Sequence, residues 1–343
     1  MALDDRIRTA LPGIVNFALI AAVAGAAYAG ATAPADHGLL GAARGALTGA
    51  LIGGTASALD ELVLLAPGAP LTRAPFLLNV GARSLAYLAV FLLAIATGHW
   101  LLPNSPKDHV FDFSRDDLLF CFAATFVVSF LQEVNSLLGQ NVLLTYVTGR
   151  YHRARVEQRI FLFIDMKNST AAAERLGEVD FHRLLNRFVT DLTGPIVLQE
   201  GQIHKYVGDE LIATWPLAAG LKDARCLRAC FGAIARLDEV APAYQRDFGQ
   251  RVEIRASLHC GPVVVGEMGT VKKEIALIGD TLNTAARIVD ACRDGGERVM
   301  ASALLLDQLA LPPGIAARAR GPVRLRGKET ALDLVALDAT GLR

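Results

Sequence analysis

Charge is spread so unevenly along this chain that it sets the architecture before any motif is read. Of the 34 Lys and Arg residues, seven fall in residues 1–149 and 27 in residues 150–343. The first part holds four long apolar segments, at residues 14–32, 39–59, 84–102 and 118–143, interrupted by Arg44, His99 and Glu133. Each is close to the ~20 residues that an α-helix needs to cross the hydrocarbon core of a bilayer. The expected organisation is an α-helical membrane domain with about four spans over residues 1–145, a linker or transducer helix over 146–158, and a soluble domain over 159–343.

Flanking cations orient such spans. Arg6 and Arg8 precede the first, no Lys or Arg lies in residues 33–38, and Arg150, Arg153 and Arg155 follow the fourth. Arg73 and Arg83 flank the third span, and Lys107 and Arg115 stand among four Asp in the loop after it. The distribution predicts a multi-pass protein of the inner (plasma) membrane, with both termini and the soluble domain in the cytoplasm. The first apolar run is longer than the h-region of a cleaved signal peptide. Gly41, Gly45, Gly49 and Gly53 recur every four residues. Such a seam lets helices approach closely, either across a dimer or against a neighbouring span. Glu133 inside a span is costly unless paired, and Arg44 or Arg83 is the expected partner. The cations after the last span suit anionic membrane lipid.

The charged half holds 27 basic and 24 acidic residues, an excess too small to argue for nucleic acid. Cys121, Cys226, Cys230, Cys260 and Cys292 show no paired metal-ligand spacing, and free thiols are expected in the cytosol. Helical spacing marks residues 179–199, with Phe181, Leu184, Leu185 and Phe188 on one face, and residues 221–240. Strands are expected at 160–164, 252–259, 275–278, 299–302, 323–326 and 332–337, with a loop and short strand over 261–269. A hairpin over 203–215 turns at Gly208-Asp209. These alternations predict an α+β sandwich of antiparallel strands with helices on one face.

Two acidic positions, Asp165 and Asp209, each end an apolar run. Two carboxylates suit Mg²⁺, which takes one or two carboxylates plus substrate phosphates. Downstream, Gly279-Asp280 reads as a turn and helix start, with Asp280 as its N-cap. Asn283 and Arg287 then lie one helical turn apart. A neutral donor and a fixed cation on one face suit a charged transition state. Together the three points suggest two-metal chemistry on a nucleoside triphosphate.

The motifs Phe161-Leu162-Phe163-Ile164-Asp165-Met166-Lys167-Asn168-Ser169-Thr170, Lys205-Tyr206-Val207-Gly208-Asp209 and Gly279-Asp280 followed by Asn283 and Arg287 resemble, in order, those of the class III nucleotidyl cyclases. The resemblance runs from about Arg159 to Leu337 and implies a ferredoxin-like catalytic core. It implies Asp165, Asp209 and the Met166 carbonyl as ligands of two Mg²⁺ per site, with Mn²⁺ as the alternative ion. Backbone N–H groups around Asn168, Ser169 and Thr170, at a helix start, suit a phosphate cradle, although Asn168 stands where the family often has Gly. Lys205 matches the position that reads the adenine edge, and Lys328 one that meets the distal phosphates. The second base-reading position falls on Ala276, which has no side-chain hydrogen bond to offer. Asn283 and Arg287 match the pair that orients the ribose and stabilises charge on the α-phosphate. Members work as dimers with shared sites, so the expectation is a homodimeric adenylate cyclase that converts ATP to 3′,5′-cyclic AMP and pyrophosphate.

Three rivals remain beside that reading. A guanylate cyclase is left open by Ala276, although a guanine site would usually want Glu at the Lys205 position. A diguanylate cyclase shares a Gly208-Asp209-Glu210 turn, but Val207 replaces its first glycine. A membrane receptor whose cyclase domain only binds nucleotide would not need every metal and transition-state position filled.

Overall fold

The computed structural model describes residues 3–32, 38–60, 74–101, 115–139, 142–328 and 330–339. The chain divides into two compact units, Met1–Leu138 and Gly139–Arg343. The first contains helices α1 (Leu3–Thr32), α2 (Gly38–Leu59), α3 (Phe76–Leu101) and α4 (Arg115–Leu138). All four expected apolar segments are therefore helical through most of their length. Among the described residues, however, a single stretch, Phe76–Leu93, is both long and apolar enough to span a membrane, and Gly13–Ala27 is apolar but shorter. The multi-pass expectation thus rests on helix length more than on apolarity. The Gly and Ala of α1 and α2 pack well but are weakly hydrophobic. Arg73 and Lys107, used for orientation, lie outside the described residues.

The glycine seam packs α2 on α1 of the same chain. A Cβ built on Gly49 would collide with the Ala21 carbonyl, and one on Gly25 with the Gly45 carbonyl. Of the two readings of the seam, this is the contact with a neighbouring helix. Glu133 accepts a hydrogen bond from Arg83 at 3.2 Å, the second of the partners expected for it.

In the second unit, α5 (Val142–Thr148) leads through a turn into β1 (Arg155–Met166). The helix expected over 146–158 is therefore displaced. Gly149, at φ +62°, ends α5, and residues from Arg155 onward pair with β4 rather than coil. Tyr151 is buried in the turn between them and donates to Glu157 at 2.7 Å. The remaining elements are α6 (Ser169–Leu176), α7 (Glu178–Leu198), β2 (Gln202–Val207), β3 (Glu210–Pro216), α8 (Leu217–Leu221), α9 (Arg225–Phe248), β4 (Ile254–Met268), β5 (Glu274–Ile278), α10 (Asp280–Gly295), β6 (Val299–Ser302), α11 (Ala303–Leu306), β7 (Ile315–Val323) and β8 (Leu332–Ala339).

The sheet runs β2-β3-β1-β4-β6-β8-β7, with β5 paired to the second half of β4. Every pairing is antiparallel except β4 with β6, which α10 joins by a crossover. β1 lies deep in this sheet and is buried on both faces. Ile160, Leu162 and Ile164 pack under Leu184, Phe188, Leu192 and Ile196 of α7 and under α9. Phe161 and Phe163 face the other way, toward Ala285 and Val289 of α10. Helices thus cover both faces of the sheet, not one. The reason is in the sequence of α10: Thr281, Thr284, Ala285, Ile288, Val289 and Cys292 form a buried stripe, and such a stripe must cover a sheet face of its own.

Two further corrections concern strands. Residues 261–268 continue β4 instead of forming a loop, and the strand expected at 323–326 lies earlier, as β7. Cys226 and Cys230 are both buried in α9, and Cys226, Cys230, Cys260 and Cys292 are free thiols.

Candidate active site

Asp165, Asp209 and Glu210 are electrostatic neighbours where β1 leaves the sheet, and among the described residues no group of three His, Cys, Asp or Glu side chains is gathered as a metal site. Asp165 is the penultimate residue of β1 and stands opposite Glu210 on β3 and Arg255 on β4. The tight turn between β2 and β3, with Gly208 at φ +61°, brings Asp209 beside them. Burial raises the Asp165 pKa above the usual carboxylate range, and the neighbouring charge of Asp209 raises it further. Burial, then Asp165, Asp209 and Asp290, push Glu210 up to about 7. Like charges held this close favour a cation between them. Here Arg293 of α10 partly meets the demand, donating to Asp165 Oδ2 at 3.2 Å, with Arg255 at 3.9 Å. The carboxylates of Asp165 and Asp209 are oxygen donors of the type a hard divalent ion takes.

The chain turns sharply after this corner. Asn168 adopts the left-handed conformation (φ 59°, ψ 30°), which Asn tolerates best after Gly. The departure from Gly at this position therefore keeps the turn. Ser169 and Thr170 open α6, where backbone N–H groups lack helical acceptors. Met166 is buried.

The other expected residues are placed on α10 and its surroundings. Asn283 is exposed and Arg287 half-buried on the face opposite the packed stripe. Among the described residues, neither makes a hydrogen bond or ion pair to Asp165 or Asp209. Their distance along the helix explains this. Arg293 is the α10 residue that reaches Asp165, and Asn283 stands ten residues, about 15 Å of helix rise, nearer the other end. Arg287 instead lines a cavity of about 500 Å³ together with Arg293, Arg320, Arg324 and Arg326. Lys328 is ion-paired with Asp280, and a Cβ on neighbouring Gly327 would sit 3.5 Å from the Arg287 guanidinium. Asp280 is thus not the N-cap: Gly279 holds that position without a side-chain cap, and the Asp280 carboxylate faces Lys328.

Lys205, on β2, donates to Glu274 of β5 at 3.3 Å, and both side chains are partly exposed. Ala276 lies two residues further along β5 and so on the same face, buried opposite Gly266. Sequence reasoning missed Glu210, Glu274 and Arg293. Glu210 was legible only as part of a turn, and the other two become visible once β5 and α10 are placed.

The adenylate and guanylate cyclase catalytic domain matches residues 152–336 of this chain. Adenylate cyclase 2 of Rhizobium meliloti (strain 1021) is 35% identical over 229 residues, 67% of this chain and 63% of that protein. The adenylate cyclase of Anabaena cylindrica is 25% identical over 192 residues, 54% of this chain and 38% of its own length. The chain thus spans less than two thirds of the length of these relatives. A bacterial light-regulated adenylyl cyclase shares the fold, with a TM-score of 0.53 at 17% identity and 66% of each chain covered. Proteins of this class bind a nucleotide and generally use divalent metal ions. With the matched region running from the turn before β1 into β8 and including Asp165, Asp209 and Glu210, this chain belongs to the adenylate and guanylate cyclase catalytic domain family.

Proposed function

We propose that the protein is a membrane-anchored adenylate cyclase. It converts ATP to 3′,5′-cyclic AMP and pyrophosphate at two sites shared across a homodimer, with its catalytic unit on the cytoplasmic side of the plasma membrane. The observation that carries this reading is the acidic corner of Asp165, Asp209 and Glu210, placed beside the N-terminus of α6.

The reaction joins the ribose 3′-oxygen to the α-phosphorus and breaks the bond to the β-phosphate bridging oxygen. The 3′-hydroxyl proton is lost to solvent, and pyrophosphate leaves. Asp165, Asp209 and the Met166 carbonyl would hold two Mg²⁺, or Mn²⁺ in their place. Bound there, the ions supply Lewis-acid activation of the hydroxyl and charge neutralisation on the triphosphate. Backbone N–H groups of Asn168, Ser169 and Thr170 cradle phosphate oxygens. Asn283 of the partner subunit orients the ribose, and its Arg287 partner on the same face matches the growing charge on the α-phosphate. Lys328 meets the distal phosphates, exchanging its contact with Asp280 for them. Lys205 reads the base.

Purified protein supplied with ATP and Mg²⁺ should release cyclic AMP. Asp209→Ala should fold yet lose ~100-fold or more in turnover, because loss of even an outer-shell partner of a metal ligand costs about 10–100-fold. Normal turnover in that variant sinks the metal assignment. A second reading, GTP as substrate, is favoured by Ala276 and by the carboxylate of Glu274 beside Lys205, so the same assay is run with GTP.

A further inference from the structure

A cation of the chain itself holds a carboxylate oxygen that the proposed chemistry needs. Arg293 of α10 donates from one terminal guanidinium nitrogen to Asp165 Oδ2 at 3.2 Å. Its other terminal nitrogen lies 3.8 Å from Asp290 Oδ1, one turn back along the same helix. Arg255 of β4 approaches the same oxygen of Asp165, Oδ2, at 3.9 Å. The Asp165 side chain is 11% exposed and that of Arg293 55%, so the pair opens to solvent at its Arg293 end.

The Arg293 contact has the properties of one that can be exchanged. A pair with one partner half in solvent is weak. Asp290, 64% exposed, stands ready to receive the guanidinium when it leaves Asp165. Asp290 is also among the negative charges that act on Glu210, so a cation turned toward it remains useful to the corner. A divalent ion carries twice the charge of Arg293 and takes carboxylate oxygens directly. The two cations oppose each other on one carboxylate. Charges of +1 and +2 about 5 Å apart in water weaken binding by a factor of about 10.

We propose that Arg293 competes with the divalent ion for Asp165. The guanidinium holds Oδ2, the arriving ion takes that oxygen, and Arg293 turns to Asp290. The inference rests on the reading of Asp165 and Asp209 as metal ligands. One cation replaces another, with no covalent bond made or broken. Arg293 thereby sets the ion concentration at which the site fills, and it does so from the helix that carries Arg287.

Titration of Mn²⁺ into the purified full-length protein, followed by the electron paramagnetic resonance signal of the free ion, tests this without reference to turnover. Arg293→Gln should bind Mn²⁺ about 10-fold more tightly. Arg293→Lys keeps the charge and should stay near the wild-type affinity. Arg318→Gln controls for the loss of any one cation. Arg318 lies on β7, four strands from β1, which is about 19 Å of sheet and beyond the Debye length of about 10 Å in 0.1 M salt. Its variant should bind as wild type does. Asp209→Ala should lose the site. If Arg293 only orients Asp165 for the ion, Arg293→Gln binds more weakly, which overturns the proposal. Unchanged binding in Arg293→Gln, or an equal gain in Arg318→Gln, overturns it as well. Mn²⁺ binding that survives Asp209→Ala overturns the metal reading and this inference with it. Loss in Asp209→Ala without a gain in Arg293→Gln overturns the competition alone.

Discussion

At the scale of single residues, base selection turns on the small patch where Lys205 meets Glu274 and Ala276. Ala276 contributes no hydrogen bond, whereas a site built to bond a base edge rejects the wrong base strongly. Ala276→Thr should raise the ATP-over-GTP ratio of kcat/KM about 10-fold, a single hydrogen bond's worth. Glu274→Ala should shift the ratio too, because it frees the Lys205 ammonium. Steady-state rates with both nucleotides check this, and unchanged ratios in both variants count against base contact here. A second residue-scale effect concerns acid stability. Burial, with Lys328 nearby, lowers His259 to about 4, and its Nδ1 lies 2.8 Å from Ser302 Oγ. The unfolded chain binds that proton near pH 6.5. Stability is therefore full above about pH 6.5 and falls as pH drops toward 4, by up to about 3 kcal/mol. His259→Asn should flatten the fall in urea midpoint between neutral and mildly acid buffer, leaving the part owed to His204, which burial also lowers to about 4.

At the scale of elements, α1 and α2 depend on contacts that admit no side chain. Gly49→Leu should destabilise the helical unit by at least about 1–3 kcal/mol, because the new side chain meets the Ala21 backbone. Gly54→Ala should be tolerated, since its Cβ would rest 3.5 Å from Ala18. Thermal unfolding in detergent distinguishes the two, and an equally stable Gly49→Leu would contradict the packing. The same glycines show why some elements were legible and others not. The period of four in Gly45, Gly49 and Gly53 announced a close contact, but not which helix supplied the other side. In β4, Gly261 and Gly266 read as loop residues, yet each marks a close approach within a strand, to Thr281 and Ala154 respectively. Gly321, at φ +74° just ahead of the strand expected at 323–326, lies at a bulge inside β7. By contrast, α7 and the hairpin at Gly208-Asp209 needed nothing beyond local pattern. The candidate site divides the same way. Asp165 and Asp209 stood out as isolated acids at strand ends, whereas Glu210, Glu274 and Arg293 acquire meaning only through strand register and helix placement.

At the scale of the whole molecule, α10 makes the strongest case for an assembly. Its C-terminal half touches the acidic corner through Arg293, while Asn283, about 15 Å of helix rise away along the axis, is exposed. A second copy related by a two-fold axis can present its Asn283 and Arg287 to the first copy's Asp165 and Asp209, and the reverse, giving two equivalent sites. Asp165→Ala and Arg287→Ala should each be nearly inactive alone. Co-expressed, they form dimers in which one site carries both defects and the other carries none. With random pairing half the dimers are mixed and each has one good site, so activity should return to roughly a quarter of wild type. The control is Asp165→Ala with Asp209→Ala, where both defects fall on the same side of the interface. Mixed dimers of that pair carry one lesion in each site and should stay silent. Recovery in the first pair and silence in the second fix the division of the site. If tagged, verified mixed dimers of the first pair remain inactive, the shared-site assignment fails and the site lies within one chain.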